Sequence, residues 1–172
     1  MPLEDEIESV NLPLSAIEAP HMQAALDRWR AAARVGALPS ERAADPLGLA
    51  EAAGYAALID VLRNPLDFRF RYFGADMAAV LDADYTGRRV SELEPRRYIG
   101  LLMEGYVSAA NGRDPVLHHL RMRLDARRRW SYSRLLLPLS SSGNTADTIW
   151  AVTHYDHEGG NAPAVRSADA PI

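Results

Sequence analysis

The chain predicts an α+β domain: an antiparallel sheet of about five strands with a helical layer and an N-terminal helical extension. Three observations predict it. Segments of alternating apolar character cluster in two places, at residues 55–73 and 116–156. A longer segment with helical spacing separates them, and Gly, Pro, Asn or Asp mark nearly every boundary. With 48% apolar residues in 172, the chain can bury a core without a metal or disulfide staple.

Residues 1–20 hold five acids and no base, with Pro2, Pro13 and Pro20 interrupting any pattern. They read as an acidic, mostly irregular tail. From His21 the spacing turns helical, with Met22, Leu26 and Trp29 on one stripe, and Gly36 and Pro39 close that helix. Asp45-Pro46 has the form of a helix start, Asp accepting orphan N–H groups and Pro having none to lose, for a short helix to Ala53.

Tyr55 to Arg63 reads as a strand, and Asn64-Pro65-Leu66-Asp67 as a turn. Phe68 to Phe73 reads as a second strand, with Phe68, Phe70 and Tyr72 on one face and Arg69 and Arg71 on the other. Ala75 to Leu81 is a short helix, and a polar loop through Gly87 leads to the longer one, whose stripe is Ile99, Leu102, Met103 and Tyr106. Three strands follow, Val116–Leu124, Trp130–Leu139 and Thr148–Asp156, the last two joined through Ser140–Asn144. The Gly-, Pro- and Ala-rich residues 157–172 are expected to be disordered, so the folded unit is placed at 21–156.

Composition excludes much chemistry. With no cysteine there is no thiolate nucleophile, Cys-ligated zinc, iron–sulfur cluster, disulfide or flavin–thiol photoadduct. No basic, apolar leader opens the sequence, and no stretch approaches the ~20 apolar residues of a membrane span. The expectation by elimination is a cytoplasmic protein without membrane contact. Every base is Arg, and outside the first twenty residues acids and bases nearly balance.

The order of elements, and the wording of several segments, resembles a family of PAS-like proteins found as stand-alone modules in alphaproteobacteria. The segments are Trp29, Leu38-Pro39-Ser40 and Asp45-Pro46; Phe68-Arg69-Phe70-Arg71-Tyr72-Phe73-Gly74; Tyr85-Thr86-Gly87-Arg88; and Arg134-Leu135-Leu136-Leu137-Pro138-Leu139. They span roughly residues 22–156. The resemblance implies a sensory or regulatory module, often paired through the helix before the sheet. It supplies neither a catalytic motif nor a ligand, and no cofactor is identified.

Among individual residues His118 is the most informative. Alternation sets it with Val116, Leu120 and Met122, toward the core. It could be a polar handle in a ligand pocket, a haem ligand, or a buried histidine bonded to a neighbour. Haem ranks last, because in haem-binding PAS domains the ligand histidine sits on the long helix, and here that helix has none. His119 points to the opposite face. His154 and His157 form H-x-x-H without the further convergent ligands zinc requires. Asp82-x-Asp84-x-Thr86-Gly87 opens like a calcium loop but has Leu93 where the bidentate acid belongs. No metal site is expected.

Arg121, Arg123, Arg127, Arg128, Arg129 and Arg134, interleaved with Trp130 and Tyr132, form the densest cationic stretch. The overall acidic charge argues against nucleic acid. An acidic partner, or a carboxylate held by a bidentate Arg, suits it better. No nucleophile elbow, P-loop or dinucleotide fingerprint occurs, and no paired carboxylates have an acid–base setting. The chain is therefore expected not to be an enzyme.

The leading reading is a small-molecule sensor with a pocket between the long helix and the sheet, signalling through a separate effector protein. Tyr72, Met103, Tyr106, His118, Leu120 and Met122 would line the pocket, joined by Tyr132 and Trp150. Met22, Leu26 and Trp29 would form a homodimer interface. The alternatives are a ligand-free interaction adaptor and, more weakly, a small α+β barrel enzyme.

Overall fold

A computed structural model describes residues 6–123, 126–127, 129–156 and 166–167. Its elements run in the order β1 (Ile7–Leu12), α1 (Pro20–Ala32), α2 (Glu41–Ala44), α3 (Ala50–Ala53), β2 (Ala56–Leu62), β3 (Asp67–Phe73) and α4 (Ala75–Leu81). After these come β4 (Leu93–Glu94), α5 (Arg96–Asn111), β5 (Val116–Arg123), β6 (Arg129–Leu139), β7 (Thr148–Asp156) and β8 (Arg166–Ser167). Six strands make one antiparallel sheet in the order β1-β5-β6-β7-β2-β3, while β4 and β8 pair separately. From β2 onward, β4 and β8 apart, two strands, a short helix, a long helix and three strands follow one another, in the order the sequence predicts. Among the described residues no helix is long and apolar enough to cross a membrane.

Both faces of the sheet are covered, because the central strands are apolar on both sides, as in a strand buried between two layers. One face packs against α4 and α5, with Phe68, Phe70, Leu120, Met122 and Leu136 meeting Met77, Ile99, Leu102 and Tyr106. The other packs against α1, where Leu58, Leu135, Leu137, Trp150 and Val152 meet Met22, Ala25, Leu26 and Trp29. The expected homodimer stripe is thus spent inside the domain. Met22, Leu26 and Trp29 are buried, and Trp29 Nε1 donates to Pro138 O at 2.8 Å.

Three local readings of the sequence are corrected. The first concerns the tail: Ile7–Leu12, expected to be irregular, forms the sheet's sixth strand against β5, from Ile7 opposite Met122 to Leu12 opposite Leu117. Its exposed positions are polar or lone apolars, as suits an edge strand, so its alternation is faint. Glu6 holds its start through Arg123 at 2.8 Å.

The second concerns Asp45, which does not open a helix. It closes α2 in the left-handed region (φ 46°), where Asp is among the few residues tolerated. The N-cap of α2 is Ser40, whose hydroxyl accepts from Ala43 N at 3.1 Å. The third is a bulge in β3. Leu58 pairs with Tyr72 but Ile59 pairs with Phe70, leaving Arg71 as the extra residue. One inserted residue reverses the side-chain order beyond it.

The disorder expected of 157–172 lies outside the described residues, apart from the two that form β8. At the other edge of the sheet the loop after α4 covers β3. Phe70 N donates to Arg88 O at 3.0 Å, Gly87 N donates to Phe70 O at 2.6 Å, and Gly87 holds φ +84°, a conformation natural to glycine. This loop carries Tyr85 over the α4–α5 face.

Candidate functional site

A cavity of about 50 Å³ lies between α4–α5 and the sheet. Phe70 and Phe73 of β3 and Met77 and Leu81 of α4 form one wall. Tyr98, Leu102 and Tyr106 of α5 form another, spaced by about one helical turn along one face. Trp130, Tyr132 and Arg134 rise from β6, and Ala151, Thr153 and Tyr155 from β7, each set at the two-residue spacing that keeps side chains on one face.

The aromatic rings are in mutual contact. Trp130 and Tyr132 lie 4.6 Å apart, Tyr132 and Tyr155 5.6 Å, and Phe73 and Tyr85 5.3 Å edge-on. Tyr98 and Tyr132 share a hydrogen bond through their hydroxyls. Burial raises the pKa values of Tyr98, Tyr106, Tyr132 and Tyr155, so all four stay protonated near neutral pH. The charge of Arg134 opposes that rise at Tyr98, Tyr106 and Tyr132.

Arg134 is the polar centre of this layer and is almost fully buried. Its Nε and Nη2 donate to His118 Nδ1 at 3.1 and 3.0 Å, and Nη2 also donates to Leu102 O. The Tyr106 ring lies 4.3 Å from the guanidinium carbon, within cation–π range. Nη1 is buried and has no hydrogen-bond partner. Desolvation, then the charge of Arg134, lowers the His118 pKa to about 3, so the imidazole is neutral at pH 7.

Of the expected lining, Tyr106 and Tyr132 face the cavity. His118, Leu120 and Met122 share that face of the sheet. His118 reaches the cavity only through Arg134 and itself borders a crevice with Asn11, Glu104 and Ser108. Met103 is half-buried on the flank of α5.

Tyr72 and Trp150 lie on the face opposite to the one the sequence predicts. The bulge at Arg71 sends Tyr72 toward α1, where its hydroxyl donates to Ala53 O at 3.1 Å, and brings Phe73 to the cavity instead. Trp150 also lies on the α1 face, because β7 puts Ala151, Thr153 and Tyr155 on the other.

Arg134 belongs to the dense cationic stretch of the sequence. Strand alternation with Trp130, Tyr132 and Leu136 marks it as inward, and this signal was present in the sequence. Arg121, Arg127 and Arg129 of the same stretch are exposed, and Arg128 lies outside the described residues. His154 lies on the α1 side with its ring 5.6 Å from that of His21; His157 is outside the described residues. Among the described residues no three His, Cys, Asp or Glu side chains are grouped to hold a metal.

The cavity volume bears on the cofactor question. It is a third of the ~150 Å³ that admits benzene in an engineered apolar cavity. It is well under the ~300 Å³ where ordinary ligand pockets begin. A haem or a flavin does not fit this space.

No family model and no curated protein matches the chain. Among solved structures it is similar to an RNA-binding light-oxygen-voltage receptor at 14% identity and a TM-score of 0.44, over 87% of this chain and 38% of that one. At that identity and score no property of the receptor is transferred to this chain.

Proposed function

We propose that the chain is a non-enzymatic sensory or regulatory module of the PAS-like type. It takes a small ligand into the aromatic cavity between α4–α5 and the sheet and passes the signal by contact with a separate protein. The observation that carries this reading is the buried Arg134 guanidinium bordering the cavity with Nη1 unpartnered. A buried donor left unsatisfied costs about 1–3 kcal/mol, which an acceptor bound in the cavity would offset.

The absence of enzymatic activity rests on proton chemistry. Burial holds the lining tyrosines protonated and His118 neutral across the working pH range. None of them is poised to exchange a proton near pH 7. Output to a partner suits an α5 that lines the ligand cavity and packs on the sheet with the same face, since a shift in α5 is a population change a partner can read. A second copy of the chain would have to meet it elsewhere than at Met22, Leu26 and Trp29, which are buried.

The small volume favours one competing reading, a ligand-free adaptor. Native mass spectrometry with an absorbance spectrum separates the two. A bound non-protein mass, or a mass shift with an added small molecule, supports the sensor. A bare polypeptide mass that no compound in a broad fragment set shifts overturns it in favour of the adaptor.

A further inference from the structure

Arg134 brings a positive charge into the core, and no carboxylate among the described residues pairs with it. Its partners are a neutral imidazole at 3.0 and 3.1 Å, a backbone carbonyl and the face of Tyr106. At the surface Arg34, Arg63 and Arg113 are likewise held by backbone carbonyls, but in contact with water. Arg28, Arg69, Arg71, Arg96 and Arg123 each reach a carboxylate oxygen at 2.8–2.9 Å. Among the described residues the buried guanidinium, which has most to gain from a counter-ion, has no carboxylate partner.

The cavity repeats this imbalance in its donors. A guanidinium offers N–H groups and no acceptor, and both N–H groups of Nη1 are unused. Tyr98 and Tyr132 join their hydroxyls with a single proton, leaving the other proton of the pair to donate elsewhere. Thr153 adds a hydroxyl that can donate or accept, and no Asp or Glu among the described residues lines the space. The remaining walls, Phe70, Phe73, Met77 and Leu102 among them, are apolar.

We propose that Arg134 anchors an anion subsite and that the ligand is a small monocarboxylate. The carboxylate accepts from Nη1, and a short apolar chain lies against Phe70, Phe73 and Met77. One negative charge neutralises the one buried positive charge. A dianion such as phosphate would leave a net charge stranded among the apolar walls. The volume of about 50 Å³ limits the chain to a few carbons. This inference rests on the reading of the cavity as a ligand site.

The test uses the full chain with acetate, propionate, butyrate and the neutral isostere butanamide, followed by thermal shift and ligand-observed NMR. Affinity should rise by up to about fourfold for each methylene added, until the cavity is full. Butyrate should bind at least roughly tenfold more tightly than butanamide, the ratio expected for a charge-assisted hydrogen bond. Arg134→Gln, which can still donate to His118, should abolish that preference.

If the variant does not fold, the butyrate-to-butanamide ratio in the unaltered chain decides alone. Equal binding of the two overturns the anion subsite while leaving the cavity as a ligand site. Binding of none of the four, with no other fragment bound, removes the subsite and the sensor reading together. Binding of other fragments, but of none of these four, removes the subsite alone.

Discussion

His118 and Arg134 stand directly opposite each other in the β5–β6 ladder, and the guanidinium donates to His118 Nδ1 from two of its nitrogens. Because Arg can only donate, Nδ1 must accept, and the imidazole is neutral with its proton on Nε2. Protonating Nδ1 would set two donors against each other beside a positive charge. Burial first, and then the neighbouring Arg134 charge, lower the His118 pKa to about 3.

That pKa gives a stability prediction with a definite sign. Between pH 6.5 and about 3 the unfolded chain binds a proton at residue 118 that the folded chain refuses. Stability from this group is therefore complete above pH 6.5 and is lost as pH falls toward 3, by up to about 1.4 kcal/mol per unit. His119 is lowered too, so the informative quantity is a difference between variants. In urea unfolding at pH 7 and pH 5, the unaltered chain should lose about 2 kcal/mol more than His118→Gln. Parallel losses in the two proteins would show that His118 is not held neutral.

Gly105 is where α5 crosses this pair. A Cβ at that position would lie 2.7 Å from both Arg134 Nη2 and His118 Nδ1. Gly105→Ala must push the buried pair aside and should cost about 1–3 kcal/mol. Gly100, on the exposed side of the same helix, has open space where its Cβ would stand. Gly100→Ala should be neutral or stabilise by up to about 1 kcal/mol through helix propensity. Equal effects of the two changes in urea unfolding would mean that α5 does not pack on Arg134 as described.

The central strands and the long helix were legible because their periodicity is strong and their apolar content high. β7 was located at Thr148–Asp156, both in the sequence and in the structure. What the sequence obscured was which face a residue occupies. With both faces of the sheet buried, β7 reads as nearly continuous apolar sequence and Trp150 could be set on either side. The β3 bulge leaves no mark in composition, so an alternation that holds through Phe70 misplaces Tyr72. Arg134 was obscured by its type: charged residues are rarely buried, and its neighbours in sequence include exposed arginines.

Asp67 ties the start of β3 to the segment leading into β4. Its Oδ1 accepts from Phe68 N at 2.8 Å, and its Oδ2 accepts from Ser91 Oγ at 2.7 Å. The carboxylate is nearly buried, and an Arg89 nitrogen lies 4.0 Å away. Asp67→Ala leaves the Phe68 amide and the Ser91 hydroxyl without their acceptor and should cost about 2–3 kcal/mol. Ser91→Ala, which removes the partner and leaves the carboxylate its other bonds, should cost about 1 kcal/mol. The two values come from urea unfolding curves, and a smaller effect for Asp67→Ala than for Ser91→Ala would contradict this order.

The stripe on α1 separates a core role from an interface role. Leu26 is buried against the sheet, and the Trp29 indole N–H donates to Pro138 O at 2.8 Å. If these residues are core, Leu26→Ala should cost about 2–5 kcal/mol through lost burial and the cavity left behind. Trp29→Phe should cost about 1–3 kcal/mol, since it strands a buried carbonyl and leaves space beside it. Neither change should alter the molar mass measured by light scattering under native conditions. An interface role predicts the reverse, because truncating an anchor residue weakens association while the fold of each chain keeps its stability. Concentration-dependent dissociation in Leu26→Ala, with unfolding of the monomer unchanged, would therefore place the stripe between two copies rather than beneath one sheet.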